Sequence, residues 1–283
     1  MNESLAKAII SKFFPNLTIS TIDKIGEGTG NVAFEVNSDF IFRFPKKPEN
    51  QKQLEREISI QNMLATYSSL PFPQFIFIPP DHSFVGYKKI LGASILAKQY
   101  EYIDWKTISK QLGNFLKKLH SIESKEMNDL NILLEERSFS DWLLQAQDNF
   151  EKTKHLIDER YFHNIAAFFQ SKPPEHTQSS VFCHNDLGIE HILVINNKVS
   201  GMIDWGGAAI TDPACDFARI YRDVGEIIMN LIVDEYVLQE DEKAELRNRA
   251  IFYGKCLFFE DLFYGIGQEK YEIKARAALE WMF

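Results

Sequence analysis

Cys183-His184-Asn185-Asp186-Leu187-Gly188-Ile189-Glu190-His191-Ile192-Leu193, followed by Ile203-Asp204-Trp205-Gly206, is the stretch on which the reading of this chain turns. Asp186 sits on a short loop between apolar runs. His191 follows five residues later, and Asp204 lies thirteen residues beyond that, at the end of the strand-like run Val199 to Ile203. Phosphoryl transfer asks little covalent chemistry of a protein. It needs the nucleophile held in line and the phosphate charge neutralised, chiefly by magnesium. Asp186 is placed to accept a hydrogen bond from a substrate hydroxyl and to take its proton late. Asp204 is the carboxylate ligand for a magnesium carried on a nucleotide. His191 is the second metal candidate, although imidazole suits a hard cation less well than oxygen does. His184 reads as a brace for the loop, and Asp216, at the head of the helical region that follows, joins it as structural support. Any one of these residues alone is ordinary, since an Asp after His-Asn is usually a turn residue and a lone His usually packs or caps. The spacing His-x-Asp-x4-His, then an apolar strand, then Ile-Asp-Trp-Gly carries the specificity.

Working outward toward the N-terminus, three strands are expected between Thr18 and Phe44, the last of them Phe40-Ile41-Phe42-Arg43-Phe44 stopped by Pro45. Gly26, Gly28 and Gly30 fall between the first two, where backbone can approach phosphates closely. Arg43 stands inside an apolar run and needs an acidic partner or a phosphate. Glu57, on a helix expected over Gln51 to Tyr67, is the favoured partner, with Glu55 the alternative. A further strand, Phe84 to Ile90, ends in Tyr87-Lys88-Lys89-Ile90, whose backbone is a candidate for the edge of a purine. Gly92 is a plausible hinge. Helices are expected over Ser4 to Phe14, Ile108 to Ile122, Phe139 to Phe150 and His155 to Phe169. Three more follow Asp216, over Val224 to Val237, Asp241 to Phe259 and Ile273 to Phe283. The order gives an α+β, bilobal architecture: a small β-rich N-terminal lobe over residues 1–91 for the nucleotide, and a larger, mainly helical lobe over residues 92–283 for catalysis and substrate.

The bulk numbers narrow the partners. The 283 residues are ample for a packed core, and 31 basic against 40 acidic residues give a net charge of −9. That balance argues against nucleic acid and suits a cationic small molecule. Three irregularly spaced cysteines imply a reducing, cytoplasmic setting. No signal peptide and no membrane-spanning run is expected, and the chain is expected to act as a monomer.

The chain resembles the aminoglycoside phosphotransferase family, and within it the aminoglycoside 2''-phosphotransferases. The resemblance runs over most of the sequence. It rests on Ile25-Gly26-Glu27-Gly28, Phe40 to Lys46, Leu116-Lys117-Lys118-Leu119-His120-Ser121-Ile122, His184-Asn185-Asp186, His191-Ile192-Leu193 and Ile203 to Pro213. It implies a protein-kinase-like fold and transfer of the γ-phosphate of ATP or GTP, with magnesium, to a hydroxyl of an aminoglycoside antibiotic. Asp186 then falls on the catalytic position, and His191 and Asp204 fall on the metal positions. Arg43 replaces the more usual Lys, which keeps the charge and changes the hydrogen-bond geometry. Gly207 takes a commonly acidic position, and Arg219 and Arg222 make the following segment less acidic. Asp223, Glu226, Glu260 and Asp261 remain as candidate carboxylates for substrate amines, with Tyr264 against a sugar ring. A same-fold kinase acting on a macrolide or a metabolite is the alternative, because His at position 191 also occurs in macrolide phosphotransferases. A non-catalytic nucleotide-binding module is disfavoured by the intact Asp186 and Asp204.

Overall fold

The computed structural model describes residues 1–28, 30–98, 102–127, 130, 132–175, 180–236, 239–267 and 269–283. Helix α1 (Glu3–Phe13) starts at Asn2, whose side chain accepts the Leu5 N–H. It packs Ala6 and Ile10 against the sheet that follows. That sheet is built from β1 (Ile22–Glu27), β2 (Asn31–Val36), β3 (Phe40–Pro45), β4 (Phe75–Phe77) and β5 (Val85–Lys88), in the order β1-β2-β3-β5-β4 and antiparallel throughout. Period-two alternation sorts β3 into two faces. Phe42 and Phe44 join Phe34 and Phe84 in an aromatic core under α1, which leaves Ile41 and Arg43 on the opposite face.

The helix expected over Gln51 to Tyr67 begins earlier and is broken. Pro48 opens α2 (Pro48–Ser59), as proline does well in a first turn. Ile60 then interrupts it, and α3 (Gln61–Tyr67) follows. The break has a packing consequence: Ile60, Met63 and Leu64 join the core of the helical half, while Glu57 of α2 stays with the sheet. At Gly92 the backbone is left-handed, with φ 126°, and a Cβ there would lie 2.8 Å from the Val194 carbonyl. Only glycine meets both conditions.

The second half carries α4 (Trp105–Leu119), α5 (Phe139–Thr153) and α6 (Phe162–Gln170). The helix expected over His155 to Phe169 is present only in its second part, since single 3-10 turns at 154–156 and 159–161 precede α6. Short strands hold the loops of the quoted stretch: β6 (Ala93–Ser94), β7 (Leu133–Leu134), β8 (Val181–Cys183), β9 (Ile192–Ile195), β10 (Lys198–Met202) and β11 (Ala209–Thr211). β9 and β10 form a hairpin closed by Asn196 and Asn197, both with positive φ. β11 lies between β7 and β8. The chain ends in α7 (Ala214–Glu235), α8 (Glu240–Tyr264) and α9 (Glu269–Met282). α7 is kinked at Gly225, whose φ is 81°. Among the described residues no helix is long and apolar enough to cross a membrane.

Candidate active site

One wall of the site comes from the five-stranded sheet. Arg43 is buried on the face of β3 away from the aromatic core. Its guanidinium forks onto Glu57, with Nη1 2.8 Å from Oε2 and Nη2 3.1 Å from Oε1, so Glu57 rather than Glu55 is the partner. Nη2 also donates to Asp204 Oδ1 at 3.1 Å, which ties the sheet to the second half of the chain. Burial opposes the Arg43 charge, but the Glu57 and Asp204 carboxylates outweigh it and hold its pKa above the ordinary value.

Between β1 and β2, the Gly28 N–H donates to the Asn31 carbonyl, and nothing stands within 4 Å of where a Cβ on Gly26 or Gly28 would lie. That backbone is open to a ligand. Gly30 is tighter, with a Cβ there meeting the Asn50 amide at 3.1 Å. Lys46 brings a cation to the turn, 2.8 Å from both the Gly28 carbonyl and Glu27 Oε1. Lys24 and Lys46 together pull the Glu27 carboxyl down to about 2.

Tyr87 is buried opposite Ile41, on the Arg43 side of the sheet, and burial pushes its phenol up to about 12. Lys88 is exposed. The Lys89 N–H is used by the Asp39 carbonyl, and its ammonium pairs with Glu35. Ile90 packs over Gly201, where a Cβ would come within 2.7 Å of it.

The opposite wall is the loop after β8. Asp216, fully buried at the start of α7, accepts the His184 N–H at 3.0 Å and the Asn185 N–H at 2.6 Å, and His120 Nε2 lies 3.1 Å from it. Asn185 adopts φ 60° and donates its amide to Glu135 and to the Gly207 carbonyl. His184 Nδ1 accepts the Asp186 N–H at 3.3 Å, so the neutral ring donates from Nε2 to the Ile203 carbonyl at 3.1 Å. Burial lowers its pKa, in keeping with that tautomer. With both nitrogens committed, His184 braces the loop.

Asp186 and Asp204 converge on His191. Its Nδ1 donates to the Asp186 carbonyl at 2.8 Å, and its Nε2 faces Asp204 Oδ2 at 3.6 Å. The ligand atoms of Asp186, His191 and Asp204 all lie within 4.8 Å of one another. Asp204 has φ 63°, a left-handed conformation that costs an Asp some energy. His191 is partly buried, which disfavours its charge, yet the carboxylates of Asp186, Asp204 and Glu190 outweigh that and raise its pKa. Burial likewise works against the Asp186 carboxylate. Arg219, with His191 next in weight, more than compensates and brings it down to about 2. Arg219 Nη1 stands 3.2 Å from Asp186 Oδ1, and its Nε donates to the Asn185 carbonyl. Gly207 lies against the same carboxylate: a Cβ there would sit 3.2 Å from the Asp186 Cβ.

The donor set fits a small divalent cation. Adjacent vertices of an octahedron with bonds of about 2.1 Å are roughly 3 Å apart. The 3.6 Å between His191 Nε2 and Asp204 Oδ2 therefore has to close only modestly.

The expected amine-binding carboxylates do not gather as a group. Asp223 is buried and accepts from the Ile189 N–H at 2.9 Å, Arg222 Nε at 2.7 Å and Lys274 Nζ at 2.7 Å, which removes it from any ligand. The reason is local, because its own neighbour Arg222 turns inward with it. Asp261 pairs with Arg222 at 2.8 Å. Glu226 is exposed just past the kink at Gly225. Tyr264 is exposed at the end of α8, edge-on to Phe263. Glu260 lines a cavity of about 160 Å³ with Glu135, Arg137, Trp142, Asn185 and Arg219.

Two residues at the site were not singled out by the sequence as members of it. Arg219 follows Asp216 by one helical turn, a spacing that places both on one face and was a usable signal. Glu135 lies in a loop after a two-residue strand and gave none.

A β-rich sheet facing a helical half, with two carboxylates and an imidazole meeting between them, defines a kinase-like phosphotransferase. The model of the phosphotransferase enzyme family matches residues 21–249, and the chain belongs to that family. Aminoglycoside 3'-phosphotransferase of Enterococcus faecalis is 27% identical over 184 residues, which is 62% of this chain and 67% of that protein. The GDP complex of wild-type aminoglycoside 2'-phosphotransferase-IIIa superposes with a TM-score of 0.82 at 24% identity, covering 99% of this chain and 98% of that one. Macrolide 2'-phosphotransferase type I superposes at 0.69 with 17% identity, covering 99% of each chain. The shared feature is the fold.

Proposed function

We propose that this protein is a small-molecule kinase that moves the γ-phosphate of ATP or GTP to a hydroxyl of an aminoglycoside. The observation that carries the reading is the meeting of Asp186, His191 and Asp204, with ligand atoms within 4.8 Å of one another, beside an Arg43 that contacts Asp204. Residues 1–91 serve as the nucleotide-binding lobe and residues 92–283 as the catalytic and substrate-binding lobe. Gly26 and Gly28 present open backbone to the phosphates, Gly30 closes the turn beside them, and Arg43, oriented by Glu57, adds a fixed positive charge. Tyr87, Lys88, Lys89 and Ile90 border the base. The Lys89 N–H is engaged within the sheet, so Ile90 is the member of this set best able to meet a purine edge.

Asp204 and His191 would hold magnesium, which when bound neutralises phosphate charge. Asp186 accepts the hydrogen bond of the acceptor hydroxyl, aims its oxygen along the line of transfer and takes the proton as the new P–O bond forms. Its low pKa suits a group that orients first and accepts a proton late. Asp216 and His184 keep the loop in place. Support for the donor and acceptor classes comes from relatives. Three solved structures of the fold are GDP complexes, one of them also with kanamycin. The net charge of −9 suits a cationic acceptor. The setting we propose is a cytoplasmic monomer.

A coupled nucleotide-consumption assay tests the reading. Kanamycin- and gentamicin-type aminoglycosides, a macrolide and no acceptor are each offered with ATP and with GTP. Acceptor-dependent turnover with an aminoglycoside is expected. Turnover confined to the macrolide, or nucleotide binding without turnover on any acceptor, contradicts it.

A further inference from the structure

The loop between Asp186 and His191 is held from outside as well as from within. Inside it, the Gly188 N–H donates to the Asp186 carbonyl at 2.9 Å, and the His191 N–H donates to the Gly188 carbonyl at 2.9 Å. From outside, Asp223 of α7 accepts the Ile189 N–H at 2.9 Å. Glu190 folds its side chain back over Gly188, where a Cβ would lie 2.4 Å from Oε2. Lys274 of α9, 84 residues further along the chain, stands 3.2 Å from both Glu190 carboxylate oxygens and 2.7 Å from Asp223 Oδ1. One ammonium therefore meets both outside holds on the loop. Its side chain is only 8% exposed, so solvent screens these contacts little. Arg222 also touches Glu190, but at 3.6 Å, and it lies on the same helix as Asp223. The seat of α9 is independent of Lys274. Ala275, Ala278, Leu279 and Met282 are buried in the core of the helical half. Trp281 Nε1 donates to the Tyr221 carbonyl at 3.1 Å, with its ring beside the kink at Gly225.

From this we infer that Lys274 is a positioning residue: acting through Glu190, it fixes the loop that presents His191 to the metal. Among the described residues its ion pairs go to Glu190, Asp223 and Asp261, and to none of Asp186, His191 or Asp204. It works on the site through the residue next to His191. The last helix thereby sets the geometry of a cleft to which Lys274 adds no ligand of its own. Partners behind a metal ligand matter in this way because they fix where the ligand atom stands. The inference rests on the phosphotransferase reading for what His191 holds. The link from α9 to the loop is present without any ligand.

The test uses the full chain. Amide hydrogen exchange is followed without ligand, and ATP and GTP affinity is measured across a magnesium titration beside turnover. Lys274→Met is expected to speed exchange over residues 187–192 by about tenfold, the low end for one charged hydrogen bond, and to leave β1 to β5 as they were. The magnesium concentration for half-maximal effect should rise by about 10- to 100-fold, with metal-free nucleotide affinity unchanged. Glu190→Ala should loosen the same residues, and the double variant should be no looser than Lys274→Met alone. Unchanged exchange over 187–192, an unmoved magnesium midpoint, or effects of the two substitutions that simply add would overturn the assignment. So would loosening spread evenly over both halves of the chain, which is a loss of global stability. A loop that loosens as expected, in a protein that phosphorylates no acceptor, would leave the positioning role standing and remove the kinase reading instead.

Discussion

Two clusters of metal-ligating residue types lie on either side of the loop after β8, and they behave differently. His120, Cys183 and Asp216 bring their ligand atoms within 4.8 Å of one another, as do Asp186, His191 and Asp204. The first group is fully buried, and its polar atoms are committed: Asp216 to two backbone N–H groups and His120, and His120 in turn to the Tyr236 hydroxyl. The second is half-buried, with side-chain exposures of 31%, 17% and 41%, and it faces the cleft. Residue type alone does not separate a brace from a reagent. What separates them is whether the folded chain has already satisfied the lone pairs. The brace spends its hydrogen-bonding capacity on backbone, and so fixes where the reagent stands.

The largest effect that would sharpen this contrast is Asp186→Ala. Turnover is expected to fall by about a thousandfold, within the range for losing a positioned acid–base group, with nucleotide affinity nearly unchanged. Retained turnover would put Asp186 on the structural side. The counterpart is Asp216→Ala, which leaves two buried N–H groups without an acceptor. It should cost about 3 kcal/mol in denaturant unfolding, more than Asp186→Ala, which leaves no buried N–H group without an acceptor. Equal destabilisation by the two variants would erase the distinction. Asp204→Ala should weaken nucleotide binding by about 10- to 100-fold and abolish its dependence on magnesium, followed by titration at fixed pH. Identical affinity across a magnesium series would exclude Asp204 from that role.

The smallest effect is on acid stability. The Asp186 carboxyl in the folded protein stands at about 2, below its ordinary 3.8. Its contribution to stability is therefore complete above 3.8 and is lost as pH falls from there through about 2. Unfolding midpoints across that interval should fall less for Asp186→Asn than for the unmodified chain. Parallel curves would show that Arg219 does not hold the carboxylate as its 3.2 Å contact implies.

Much of the cleft was legible in the sequence because its parts are local. The loop around Asp186, the strand leading to Asp204 and the order of Arg43 before Glu57 are all set by short-range periodicity and turn chemistry. The Arg43–Glu57 pair is present as the order of strand and helix implied. What was not legible depends on which way a side chain turns in three dimensions. Asp223 reads as an exposed acid on a helix, yet the inward turn of Arg222 and the approach of Lys274 from α9 bury it. The break at Ile60 leaves no proline or glycine to mark it. It exists because Met63 and Leu64 belong to the other core. The 3-10 turns before α6 likewise kept the apolar spacing that a continuous helix would show.

The central claim is that Asp186, His191 and Asp204 work together on a nucleotide's terminal phosphate and its cation. Its most direct test is a crystal structure with a non-hydrolysable triphosphate analogue and manganese, with the metal located by anomalous scattering. The expected result is metal between Asp204 and His191, with the terminal phosphate within reach of a hydroxyl placed on Asp186. Metal at His120, Cys183 and Asp216, or a terminal phosphate bound away from Asp186, would contradict it.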